Sequence, residues 1–195
     1  DPVDLTLALC AAESTSGAEA PAIDLMEQTL QQSGWRVTRI PVTPGRDDLF
    51  AEAPGAPARV TLSTHLDTVP PFLPPRLDGD RLVGRGACDA KGIAAAMVCA
   101  AERLRARGLP VGLLFVVGEE TTHDGAHAAN LARARLAPHN VALFNGEPTE
   151  SALALGTQGA QRFVLRTEGR AAHSAYPHLG DSATAQLARL LVELE

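Results

Sequence analysis

Three short apolar runs, ARVTL at 58–62, VGLLFVV at 111–117 and NVALF at 140–144, are separated by two stretches of helical composition, AKGIAAAMVCAAERLRARG at 90–108 and DGAHAANLARARL at 124–136. Runs this short, apolar nearly throughout, suit strands buried on both faces. The first intervening stretch is rich in alanine, carries arginines in its last turns and meets Gly108 as a stop, so it reads as a helix; the second makes a shorter one. Strands alternating with helices predict an α/β fold in which a parallel or mixed sheet is covered by helices on both sides. Ahead of this core, apolar positions at Ile23, Met26 and Leu30 predict a helix over 19–33 ended by Gly34, and WRVTRIPV at 35–42 alternates as a further strand. A short apolar segment precedes that helix. From about residue 155 the texture changes to LALGTQGAQRFVLRTEGRAAHSAYP and then to the amphipathic DSATAQLARLLVELE. The expectation there is a hairpin and a helix, giving two domains over 1–154 and 155–195.

Composition narrows the function. The 195 residues are 45% hydrophobic and carry a formal charge of −6 without a basic block. Nucleic acid, which requires clustered Lys and Arg, is not an expected partner. No apolar stretch approaches the ~20 residues that span a bilayer, and the first residues lack a signal-peptide pattern, so no membrane partner is expected either. The three cysteines, Cys10, Cys88 and Cys99, are far apart and odd in number. Free thiols in a reducing compartment fit them better than a disulfide framework, and the expected location is cytoplasmic. Lys91 is the single lysine among 17 basic residues.

Chemistry-bearing residues gather where the apolar runs end. The first run leads into His65 and Asp67, the second into Glu119 and Glu120, and the third into Glu147. In an open α/β sheet the carboxyl ends of the strands form the rim where ligands bind. Asp89 sits in the glycine-rich GRGACDAKG that opens a helix, so it can face the same rim. Taken singly, a histidine at a strand end is more often structural and an acid pair is more often solvated. The conjunction of one imidazole with several carboxylates suits Zn²⁺, Mn²⁺ or Co²⁺. The glycine-rich loop lacks the G-x-x-x-x-G-K-[ST] order of a phosphate-binding loop.

Five blocks, THLDTVPP, DGDRLVGRGACDAKGIAAAM, GEETTHDGA, FNGEPTE and GRAAHSAYPHLGDSA, fall in an order and spacing that resemble the M20 metallopeptidase and deacylase family. The group includes acetylornithine deacetylase, succinyl-diaminopimelate desuccinylase, aminoacylase-1 and glutamate carboxypeptidase. The resemblance covers nearly the whole chain but about the first half of a typical member. It implies a catalytic domain of zinc-hydrolase type over 1–154 and, over 155–195, the beginning of an α+β lid and dimerisation domain. Two divalent metals are implied, zinc first, with cobalt or manganese as alternatives. His65, Asp89 and Glu147 would hold one metal; Asp89 would bridge to a second held by Glu120. Glu119 would be the general base, and Asp67 would accept the second N–H of the His65 imidazole. His173 would reach a partner subunit's site in a homodimer and stabilise the oxyanion. His123, His127 and His139 match no family ligand and are expected on helix surfaces. The implied reaction is amide hydrolysis of an N-acyl amino acid in the manner of acetylornithine deacetylase, the alternative being a dipeptidase or carboxypeptidase acting on a peptide. Family members add a last metal-binding histidine from a later segment that these residues do not include. That leaves open the reading of an inactive metal-binding fragment.

Overall fold

The computed structural model describes residues 1–157, 159 and 163–194. The chain divides into two compact units, Asp1–Ala152 and Leu153–Glu195.

The first unit is built on a five-stranded sheet in the order β1-β2-β6-β3-β7. Its strands are β1 (Arg36–Thr43), β2 (Arg46–Glu52), β3 (Val60–His65), β6 (Val111–Val116) and β7 (Ala142–Asn145). β1 and β2 form an antiparallel hairpin, and β2 is antiparallel to β6. β3 runs parallel to both β6 and β7. Helix α3 (Lys91–Ala106) carries the chain from β3 to β6, and α4 (Asp124–Leu136) carries it from β6 to β7. The chain thus steps to one side of β3 and then returns to the other, and such reversals open a crevice at the strands' carboxyl ends. The α/β mixed-sheet expectation is met.

Side-chain alternation sorts the core into two layers. Val111, Leu113, Phe115 and Val117 point to one face with Leu49 and Ala51, and pack against α2 (Ala20–Gln32), α3 and Leu9 of α1 (Pro2–Ala11). Phe50 and Val116 point to the other, against Ala129 of α4. The α2 stripe of Ile23, Met26 and Leu30 is fully buried, as its spacing predicts.

Three elements go beyond the sequence reading. The N-terminal apolar segment is the helix α1, started by the Asp1 carboxylate accepting from Val3 N at 2.9 Å and by Pro2 in the first turn. β2 was not anticipated, and neither was the small hairpin of β4 (Arg76–Asp78) with β5 (Arg81–Val83).

In the second unit, a 3₁₀ turn at Pro177–Leu179 precedes helix α5 (Ala183–Glu193), whose Ser182 Oγ accepts from Ala185 N at 3.1 Å. Among its described residues, strand pairing is limited to the bridge of Arg170 with Asp181. Part of the expected hairpin, at Gln158 and residues 160–162, lies outside the described residues.

Candidate metal centre

Register places the site. Parallel pairing sets His65 beside Val116 and Ser63 beside Asn145, so the segments after β3, β6 and β7 emerge at one level. Gly146 N donates to Ser63 O at 2.7 Å and extends the β7 pairing to the residue before Glu147. On β3, Ser63 and His65 share the face that meets α4 and line a cleft of about 480 Å³ with Glu119, His123 and Glu147.

His65 is 1% exposed. Its Nδ1 lies 2.9 Å from the main-chain carbonyl of Asp67 and 3.4 Å from the Asp67 carboxylate. A carbonyl can only accept, so Nδ1 carries the proton and Nε2 presents its lone pair in the neutral ring. The expected carboxylate partner of the ring is therefore the more distant of two acceptors on the same residue. Nε2 faces acids: Asp89 Oδ1 at 3.0 Å and Glu147 Oε2 at 3.8 Å. Ligand atoms of His65, Asp89 and Glu120 all lie within 4.8 Å of one another. Asp89 comes from the turn into α3 and its side chain is 50% exposed.

The Asp67 carboxylate is wholly buried and does something the spacing did not reveal. Oδ1 accepts from Glu119 N at 3.0 Å, and Oδ2 accepts from Glu120 N at 3.1 Å and from Ser16 Oγ at 2.7 Å. One side chain after β3 thus fixes the backbone of both acids after β6. Burial alone would raise its pKa, but the hydrogen bonds from His65, Ser16 and the two amides outweigh it and hold the carboxyl below its usual value.

The charge balance fits a cation. Burial and then neighbouring carboxylates push the pKa of Glu120 up; Glu147 is raised in the same way, with His65 opposing. Burial tends to lower the His65 pKa, yet the surrounding acids, Asp67 foremost, raise it to about 9. The imidazole nitrogen with the Asp89 and Glu120 carboxylates forms a donor set suited to a borderline divalent ion, and Glu147, 3.8 Å from His65 Nε2, stands outside that closest group.

Glu119 and Glu120, though adjacent, diverge. Glu120 joins the cluster around His65, whereas Glu119 lines the cleft with its Oε1 3.8 Å from His123 Nδ1. His123 is exposed at the N-terminal end of α4: it precedes the first helical residue with a left-handed backbone (φ 54°) and also borders the cleft. His139 lies elsewhere, against Arg59 and Pro110. His173 belongs to the second unit, where its Nδ1 accepts from Ala175 N at 3.2 Å and its ring is exposed.

The supporting residues Ser16, Glu19, Arg46 and Asp124 escaped the sequence reading. The glycine in STSG was the available cue to a tight turn near Ser16; nothing in the chain order tied Arg46 to the site.

The sequence pattern of Peptidase family M20/M25/M40 matches residues 61–194. A Peptidase M20 domain-containing protein of Schizosaccharomyces pombe is 38% identical over 200 residues, covering 98% of this chain and 49% of its own length. A probable carboxypeptidase of Aspergillus terreus is 40% identical over 200 residues, covering 93% of this chain and 46% of its own. The chain thus spans about half the length of these curated relatives. Among solved structures, a tripeptidase of Staphylococcus aureus superposes with a TM-score of 0.66 at 18% identity, over 98% of this chain and 55% of that one. Human carnosine dipeptidase 1 gives 0.62 at 20% identity, over 75% and 38%. At such identities these two speak for the fold, while the relatives of higher identity and the family pattern speak for descent. The chain belongs to peptidase family M20/M25/M40.

Proposed function

We propose that the protein is a metal-dependent amide hydrolase that removes an amino acid from a peptide, in the manner of a carboxypeptidase. The observation that carries this reading is the gathering of Asp89, Glu120 and Glu147 around the His65 imidazole nitrogen, with Glu119 outside that cluster but lining the cleft that His65 and Glu147 also border. The probable carboxypeptidase of Aspergillus terreus, similar over nearly the whole chain, favours peptide substrates over acetylornithine-type deacetylation. The bond broken is an amide in either case.

His65, Asp89 and Glu147 would hold one divalent cation, and Asp89 with Glu120 a second; the family resemblance puts zinc first, and cobalt or manganese also suits one imidazole among carboxylates. Bound there, such cations would acidify a water molecule and polarise the scissile carbonyl. The remaining chemistry falls to the chain. Glu119, free of the acid cluster, accepts the proton from the attacking water and passes it to the departing amine. Asp67 keeps that base in place through the Glu119 amide and keeps His65 oriented through its own carbonyl. The cleft is of the size that takes a small ligand.

Residues 155–195 are read as part of a lid and dimerisation domain. His173 there is suited to an oxyanion: with Nδ1 accepting from Ala175 N, the neutral ring carries its proton on Nε2 and can donate. A homodimer in which each His173 serves the other subunit completes this proposal. Cys10, Cys88 and Cys99 are free thiols, which supports a cytoplasmic location; among the described residues no helix is long and apolar enough to cross a membrane.

The test is Glu119→Gln. Turnover on peptide and N-acyl amino acid substrates should fall about 10²–10⁴-fold while bound zinc stays at the parental level, because the residue handles protons. A parallel loss of zinc and turnover would make Glu119 a ligand instead.

A further inference from the structure

Arg46, the first residue of β2, holds together two loops that are remote in sequence. Its Nε and Nη2 grip the fully buried Glu19 carboxylate at 2.9 and 2.7 Å, and its Nη1 reaches Asp124 Oδ2 at 2.6 Å. Glu19 Oε1 also accepts from Gly17 N at 2.9 Å, and the residue before Gly17 is Ser16, whose hydroxyl donates to Asp67. On the other side, Asp124 closes the loop of residues 117–124 that carries Glu119 and Glu120. Gly118, immediately before Glu119, has φ +71°, and a Cβ there would collide with Asp124 Oδ1 and come within 2.7 Å of Arg46 Nη2. The ion pair occupies the space that a side chain at 118 would need. Val117 N, one residue earlier, donates to the buried Asp48 Oδ1 at 2.9 Å.

We infer that Arg46 is a positioning residue for the acid pair: through Asp124 and Gly118 it sets the loop bearing Glu119 and Glu120, and through Glu19 it sets the loop that brings Ser16 to Asp67. The two loops meet at the Asp67 carboxylate, which accepts from Ser16 and from both acid amides. Displacing either loop therefore loosens the same three hydrogen bonds. A buried ion pair stabilises a fold less than apolar packing of the same volume would, but it fixes geometry. The guanidinium is the side chain that fits, because its planar fork spans two carboxylates at once while an ammonium acts as a single point of charge. This role rests on reading Glu119 as base and Glu120 as ligand.

The test compares the parent with Arg46→Lys and Asp124→Ala. Asp124→Ala leaves the Arg46–Glu19 pair intact, so it separates loop position from folding. Amide exchange is measured by NMR in the metal-free protein, and zinc affinity by titration. Exchange at Glu119 and Glu120 should accelerate about tenfold or more in both variants, while Leu113 and Phe115 in β6 keep parental rates. Zinc affinity should fall ~10–100-fold, as it does when the groups that orient metal ligands are lost. Where hydrolysis is followed, kcat should drop ~10²-fold with KM near the parental value. Parental exchange at both acids, or equal acceleration throughout β6, overturns the proposal. A parent that hydrolyses no amide would overturn the catalytic reading alone, since exchange and zinc affinity decide the positioning role without it.

Discussion

The ends of β3 and β6 differ sharply from the end of β7, although all three supply side chains to one site. At the first two, His65 and Asp67 are buried, and the Asp67 carboxylate and carbonyl receive hydrogen bonds from the ring, a hydroxyl and two amides. β7 is a four-residue edge strand whose Leu143 and Phe144 are more than half exposed, and Glu147 beyond it is held by Asn145 Nδ2, a near neighbour, at 3.2 Å. Preorganisation is thus concentrated where β3 pairs on both sides. Of the groups these three strand ends supply, those with the denser hydrogen bonding follow doubly paired strands, and Glu147 follows the edge strand.

Asp67→Ala attacks the rigid side of that contrast and should have the largest effect. It strips the shared acceptor from Ser16, Glu119 and Glu120, and we expect a loss of about 3 kcal/mol or more in urea denaturation, together with loss of zinc binding. A stability change below about 1 kcal/mol would mean that water replaces the carboxylate at no cost, and that the two rims are alike.

Asp48 sharpens the same contrast from beneath. Its Oδ2 is, among the described residues, a buried side-chain oxygen without a hydrogen-bond partner. Burial pushes its pKa from 3.8 to about 7, with Asp124 and Asp47 adding to the rise and Val117 N and Arg46 opposing it. The folded protein therefore binds this proton more tightly than the unfolded chain. The resulting stability is present below pH 3.8 and is lost as pH climbs through about 7. Asp48→Asn cannot ionise, so its stability should lack this slope and exceed the parent's at pH 8 by on the order of 2 kcal/mol, less than the full shift because the new amide still lacks an acceptor. Denaturation curves from pH 4 to 8 decide it; parallel profiles would show that Asp48 is ionised and satisfied.

What the sequence disclosed follows from the same physics. Apolar runs ending in chemistry-bearing residues are local signals, and they located β3, β6 and β7 together with His65, Glu120 and Glu147, whereas Asp89 came from the glycine-rich turn into α3. β2 was hidden because RDDLFAE opens on charges and buries consecutive residues on both faces, which removes the two-residue alternation. The β4–β5 hairpin did carry a readable signal, since Gly79-Asp80, the two residues between the paired Asp78 and Arg81, with φ +63° at the glycine, make a tight two-residue turn. The Ser16–Glu19–Arg46–Asp124 bracket joins positions up to 78 residues apart, and no local pattern encodes such pairings. His123 stands exposed at the entrance to α4, as a helix-surface residue should, and its place before the first helical residue also lets it border the cleft.

Whether these side chains hold a metal ion through His65 Nε2 is decided by zinc titration together with anomalous diffraction at the zinc edge. Binding should be saturable, with an anomalous peak about 2.0–2.1 Å from His65 Nε2 and Asp89 in the same coordination sphere, no peak in His65→Ala, and affinity only about tenfold weaker in Glu147→Gln, which follows the edge strand. Zinc that binds away from His65, or that binds His65→Ala as tightly as the parent, would contradict this coordination.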